Sequence, residues 1–97
     1  MTKIKTYKYD PADFLKTEED FALYLQECME LDEGDGKMVR EAMNVIIRAR
    51  GLIKTSKSAD MTYQGLAKAF SPEGNPELST FLKVLHSVGL KLSVHPA

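Results

Sequence analysis

The chain has 97 residues, 43% of them hydrophobic and 28% charged, which suits one soluble globular domain and is too short for two independent cores. Lys plus Arg number 13 against 14 Asp plus Glu, so the net charge of -1 carries no global signal for nucleic acid. No run nears the roughly 18 apolar residues that span a bilayer, MTKIKTYKYD lacks a signal peptide's apolar stretch, and the lone Cys28 excludes an internal disulfide; the expectation is a reducing, cytoplasmic setting.

In chain order, KIKTYKY (Lys3 to Tyr9) alternates and reads as a short edge strand or extended arm. Asp10-Pro11 is a cap followed by proline at the first helical position, opening a short turn of helix through Leu15. Thr17 with Glu18, Glu19 and Asp20 marks a second helix start, its acids at the positive end of the helix dipole. Phe21, Tyr24, Leu25, Cys28 and Met29 then form one apolar stripe, which makes Cys28 a small core residue rather than a reactive thiol. DEGDG (32 to 36) breaks the pattern. A third helix follows from Lys37 to Arg50, with Met38, Ala42, Val45 and Ala49 along one line and Val39, Met43 and Ile46 beside it. Gly51 ends it where a left-handed cap is usual.

Leu52 to Ala59 is a short helix, Asp60 and Met61 are a turn, and Thr62 caps a further helix from Tyr63 to Phe70. Gly65 falls inside that helix, where glycine costs about 1 kcal/mol relative to alanine. SPEGN is a loop, and Asn75-Pro76 opens a last helix with Leu78, Phe81, Leu82, Leu85 and Val88 in register, stopped by Gly89. LKLSV (Leu90 to Val94) alternates as a terminal strand would, and would pair with the N-terminal arm in the same chain or across a dimer. The fold class is all-α: a small bundle of about five helices in a single domain. Residues 1–36 form the arm and acidic helix, 37–90 the helical core, and 91–97 a tail, with terminal strands as an option.

Charge is uneven along the chain. Asp10, Asp13, Glu18, Glu19, Asp20, Glu27, Glu30, Asp32, Glu33 and Asp35 share residues 10 to 36 with one base, Lys16. Residues 37 to 68 hold Lys37, Arg40, Arg48, Arg50, Lys54, Lys57 and Lys68 against Glu41 and Asp60. Such blocks are solvated surface or two faces with different partners. The two helices around Asp60 also match the spacing of a helix-turn-helix: Ser56 at the close crossing, Asp60 at the turn, Ala59 and Met61 flanking it, Leu66 and Ala69 inward.

The run from Arg48 to Val94, RARGLIKTSKSADMTYQGLAKAFSPEGNPELSTFLKVLHSVGLKLSV, resembles the addiction-module antidote family: small HigA-like antitoxins with a Cro-type (XRE-like) helix-turn-helix. Ser71, Gly74, Asn75, Pro76, Leu82, Leu85, Gly89 and Leu90 carry the most specific part, and DPADFLKTEEDFALYLQECMEL resembles the family's opening. The resemblance implies a bacterial transcriptional repressor, dimeric on its own double-stranded operator, that neutralises a RelE/HigB-type toxin encoded beside it. Thr55 stands where the family has an apolar residue, Ser56 where it has alanine, Asp60 where it has glycine and Ala67 where tyrosine is common.

In that reading the second helix of the motif enters the major groove with Tyr63, Gln64 and Lys68 outward, Gln64 suited to adenine and Lys68 to guanine acceptors. Lys54 and Lys57 meet phosphates, and Thr62 is both cap and phosphate ligand. The alternative is a toxin-binding or other interaction module that keeps the fold without sequence-specific DNA binding, using the acidic helix Glu18 to Leu31 or the arm. His86 and His95 lack the company of a metal site, and no nucleophile has a recognisable base, so neither an enzyme nor a cofactor is expected.

Overall fold

A computed structural model of the protein describes residues 10–97. Its elements are a 3₁₀ turn, Pro11–Phe14, and five helices: α1 (Glu18–Leu31), α2 (Lys37–Arg50), α3 (Leu52–Ser58), α4 (Tyr63–Ala69) and α5 (Leu78–Ser87). The expected strand at Lys3 to Tyr9 lies outside the described residues. The all-α class holds, and the alternating run Leu90 to Val94 forms no strand; it is an irregular tail. Period-two alternation specifies a strand only where an edge is available to pair with, and the described elements beside this segment, α1 and α5, are helices.

Local chemistry fixes the helix starts. Thr17 Oγ1 accepts the Asp20 N–H at 3.1 Å while Asp20 Oδ2 accepts the Thr17 N–H at 3.1 Å, a reciprocal capping box for α1. Asp10 caps the 3₁₀ turn through the Ala12 N–H and forms an ion pair with Arg48, which ties the turn to α2. That hydrogen bond from Arg48 is the main reason the Asp10 carboxyl sits below its ordinary value.

α2 is capped from a distance. Gly36 precedes it with φ 79° and offers no side chain, so Asp32 reaches across DEGDG instead. Its Oδ1 accepts the Met38 N–H at 2.9 Å, and its Oδ2 accepts those of Gly34 at 2.9 Å and Gly36 at 3.0 Å. Backbone donors converging on one carboxylate hold its pKa below 3.8.

The core runs through all five helices: Phe21, Leu25 and Cys28 of α1, Ala42, Met43, Ile46 and Ile47 of α2, Ala59 after α3, Leu66 and Phe70 at α4, and Val84, Leu85 and Val88 at α5. α2 is central, packing on α1, the 3₁₀ turn and α3. Cys28 is in the core as expected, and burial pushes its thiol up. The last helix departs from expectation at its start. Asn75 does not cap it; the chain stays extended through Glu77 (φ -64°, ψ 156°) and α5 begins at Leu78. Pro76 disfavours the helical region for the residue before it, so the cap-then-proline pair reads as a loop exit. Leu78 is 70% exposed on the first turn, and Val84, which the stripe left out, is fully buried.

Two side chains of α2 hold the loop between α4 and α5. Asn44 Nδ2 donates to the Phe70 carbonyl at 3.1 Å, and Arg40 Nη1 donates to the Gly74 carbonyl at 3.2 Å. Gly74 permits this closeness, because a Cβ there would stand 2.2 Å from the Ala69 carbonyl oxygen and 2.5 Å from that of Lys68. The polar interruption SPEGNP is therefore a clamped joint that sets α4 against the rest of the core.

Candidate functional site

α3 and α4 pack on each other across a tight connection. α3 ends in a doubly hydrogen-bonded cap: the Asp60 N–H donates to the Lys57 carbonyl at 3.2 Å and the Met61 N–H to the Ser56 carbonyl at 2.9 Å. This is the Schellman arrangement, which requires a left-handed residue, and Asp60 supplies it at φ 56°. Among the described residues it is the one non-glycine with positive φ. The turn expected at this residue is present; aspartate tolerates the geometry better than most side chains.

Two hydroxyls lie beneath the turn. Ser56 donates to the Ile53 carbonyl at 2.8 Å, which satisfies it within its own helix. Thr55 is fully buried and its Oγ1 has no hydrogen-bond partner among the described residues. The hydroxyl therefore carries a desolvation cost that an apolar residue of the same shape would not.

α4 opens with Thr62, whose Oγ1 accepts the Gly65 N–H at 2.9 Å. A Cβ on Gly65 would stand 2.8 Å from that same oxygen. The glycine keeps the cap closed, which is a structural reason for its place in the helix independent of any ligand. Leu66 and Phe70 point into the core from α4.

Each candidate side chain is at the surface: Lys54 and Lys57 on α3, Thr62 at the cap, and Tyr63, Gln64 and Lys68 on α4, with Tyr63 49% exposed. Lys54 and Lys57 share a face at i, i+3, and Gln64 and Lys68 at i, i+4. Three lysines on this helix pair face one acid, Asp60, so the pair is locally basic although the chain is not. Ile53, 61% exposed beside Lys54, adds an apolar element that the charge pattern gave no reason to expect. Arg40 and Asn44, which hold the α4–α5 joint, were also not legible as positioning residues; their partners are backbone carbonyls 34 and 26 positions away.

A second surface feature lies at the other end of the sequence. α1, the tail and α5 enclose a groove of about 480 Å³ whose lining includes Leu25, Gln26, Met29, Glu30, Leu85, Leu90 and Leu92. Among the described residues no cluster of three or more His, Cys, Asp or Glu side chains is arranged to hold a metal ion. Nor is any helix among them long and apolar enough to cross a membrane.

Residues 5–96 match the model of a family described as "Probable addiction module antidote protein". An uncharacterised protein of Haemophilus influenzae is 35% identical over 86 residues, an alignment covering 89% of this chain and 87% of the relative. No solved structure matches the chain. The family match spans nearly the whole chain, including both the acidic α1 and the α3–α4 pair, and the chain belongs to the family of probable addiction module antidote proteins.

Proposed function

We propose that the protein is the antitoxin of a RelE/HigB-type module, a cytoplasmic binding protein rather than an enzyme, which neutralises its toxin by direct contact and represses its own operon. Family membership supports a toxin partner. The observation that carries the DNA half is the left-handed Asp60 between α3 and α4, which joins two short helices as a helix-turn-helix of the HigA-like, XRE type requires. α4 is the recognition helix in this reading. Its first turn enters the major groove, with Gln64 read against an adenine and Lys68 against guanine acceptors, while Lys54, Lys57 and Thr62 take phosphates. A homodimer sets two such helices on a palindrome, with half-sites about 34 Å apart.

The test is a mobility shift of the promoter fragment upstream of its own gene at about 50 mM salt, where phosphate contacts are strongest. A retarded band with a sequence preference for a palindrome is expected. No shift removes operator binding and leaves toxin neutralisation as the whole function. That second reading is favoured by the orphaned Thr55 hydroxyl, since a buried unpaired polar group costs stability in the helix that supports α4. Co-purification with the product of the adjacent gene tests the toxin half separately.

A further inference from the structure

Asn44 and Arg48 stand one turn apart on α2, at i and i+4. The Arg48 Nε–H donates to Asn44 Oδ1 at 3.1 Å, and Asn44 Nδ2 donates in turn to the Phe70 carbonyl at 3.1 Å. Through Nη1 the same guanidinium donates to the Asp10 carboxylate. These groups form one continuous polar chain. It starts at the cap of the N-terminal 3₁₀ turn, crosses α2, and ends at the C-cap residue of α4.

The order of donors and acceptors along it is forced. An arginine side chain only donates, so it meets the oxygen of the Asn44 amide, and this turns the amide nitrogen toward Phe70. The planar guanidinium presents separate nitrogens in a fixed fork, which lets one side chain meet Asp10 and Asn44 together. Both members of the ion pair are partly exposed, so the pair itself adds little to stability. Its effect is directional: it fixes which way the Asn44 amide faces.

α4 has seven residues, and a helix of two turns does not hold itself. Its direction is set by its anchors. Thr62 caps its start, and Leu66 and Phe70 seat its inner face in the core. The carbonyls at its end lack partners within the helix, and Asn44 ties that of Phe70 to α2. Gln64 and Lys68 are carried on α4, and a hydrogen bond to a base edge depends on direction as well as distance.

We propose that Asp10, Arg48 and Asn44 are positioning residues for the recognition helix. The N-terminal turn holds Arg48, Arg48 turns Asn44, and Asn44 sets the end of α4 so that Gln64 and Lys68 meet the bases. The inference rests on the operator-binding reading and goes beyond it, by giving three residues outside α3 and α4 a part in base recognition.

The experiment measures binding of the full chain to the promoter fragment upstream of its own gene and to a scrambled fragment. It is run at several salt concentrations, well below the melting temperature of each protein. Asn44→Leu removes the donor to Phe70 without adding charge. Asp10→Asn keeps a good cap for the turn and removes the charge that holds Arg48. Operator affinity is expected to fall about ten-fold in the first variant and about three-fold in the second. Scrambled-DNA binding and the salt slope should stay as in wild type, because the phosphate contacts are retained. For Asp10→Asn the sign is diagnostic, since loss of an acid would strengthen DNA binding if net charge alone acted. Adding Gln64→Ala should shrink both effects, because the relay works through that side chain. Lower melting temperatures with operator preference intact make the network purely structural and overturn the relay, while DNA reading stands. Should Asn44→Leu not fold, Asp10→Asn decides between the same outcomes. A wild type without preference for its promoter removes the operator reading and the relay together.

Discussion

The Thr62 hydroxyl accepts the Gly65 N–H at 2.9 Å, and a Cβ on Gly65 would stand 2.8 Å from that hydroxyl oxygen. Cap and glycine are one device. Ordinarily a glycine-to-alanine change within a helix gains about 1 kcal/mol, but here the new methyl displaces the cap, itself worth about 1 kcal/mol. Gly65→Ala is expected to give no stabilisation or a fall in melting temperature of a few degrees. Adding Thr62→Ala removes the obstruction, so the double variant should be more stable than the two single effects sum to. Thermal melts of the four proteins in a double-mutant cycle measure this coupling.

Thr55 is fully buried with an unpartnered hydroxyl, and valine has nearly its shape. Thr55→Val removes an unsatisfied polar group without opening a cavity and should stabilise by about 1 kcal/mol. In a domain of this size that raises the melting temperature by roughly 4–8 °C. A lower melting temperature would mean that the hydroxyl has a partner in solution.

The carboxylate of Asp32 receives the backbone N–H groups of Gly34, Gly36 and Met38, which lower its pKa from 3.8. A depressed folded-state pKa contributes stability that is fully present above the unfolded value and is lost as pH falls through the folded one. Asp32→Asn should therefore be less stable than wild type at neutral pH. The difference should shrink as the pH drops below about 4. Denaturant melts between pH 2 and 7 would reveal the convergence; a constant gap would show that the charge is irrelevant.

If α4 reads DNA, single alanine substitutions of Lys54, Lys57 and Lys68 separate phosphate contacts from base contacts. Each residue on a phosphate should lower the slope of log affinity against log salt by about 0.9. Gln64→Ala should cost about 1–3 kcal/mol on the preferred site and relax preference at one base pair. Binding titrations at several salt concentrations on operator and scrambled DNA measure both. Unchanged specificity in the glutamine variant would remove it as a reader.

By itself the sequence determined the parts whose chemistry is local. The Thr17 and Thr62 caps, the left-handed Asp60 and the stop at Gly89 involve partners a few residues apart, so they are written in adjacent letters. The apolar stripe of α1 and the burial of Cys28 follow from helical period in the same way. Only the tertiary structure decided what depends on distant neighbours. Asn44 on the Phe70 carbonyl and Arg40 on that of Gly74 fix the α4–α5 joint, and no local pattern announces a side chain that pairs with a backbone so far along the chain. Val84 is fully buried while Leu78, on the same helix, is 70% exposed, because packing against the rest of the chain decides which side of α5 meets the core. The tail stayed irregular because alternation needs a paired edge, and the groove it borders exists only once α1, α5 and the tail converge.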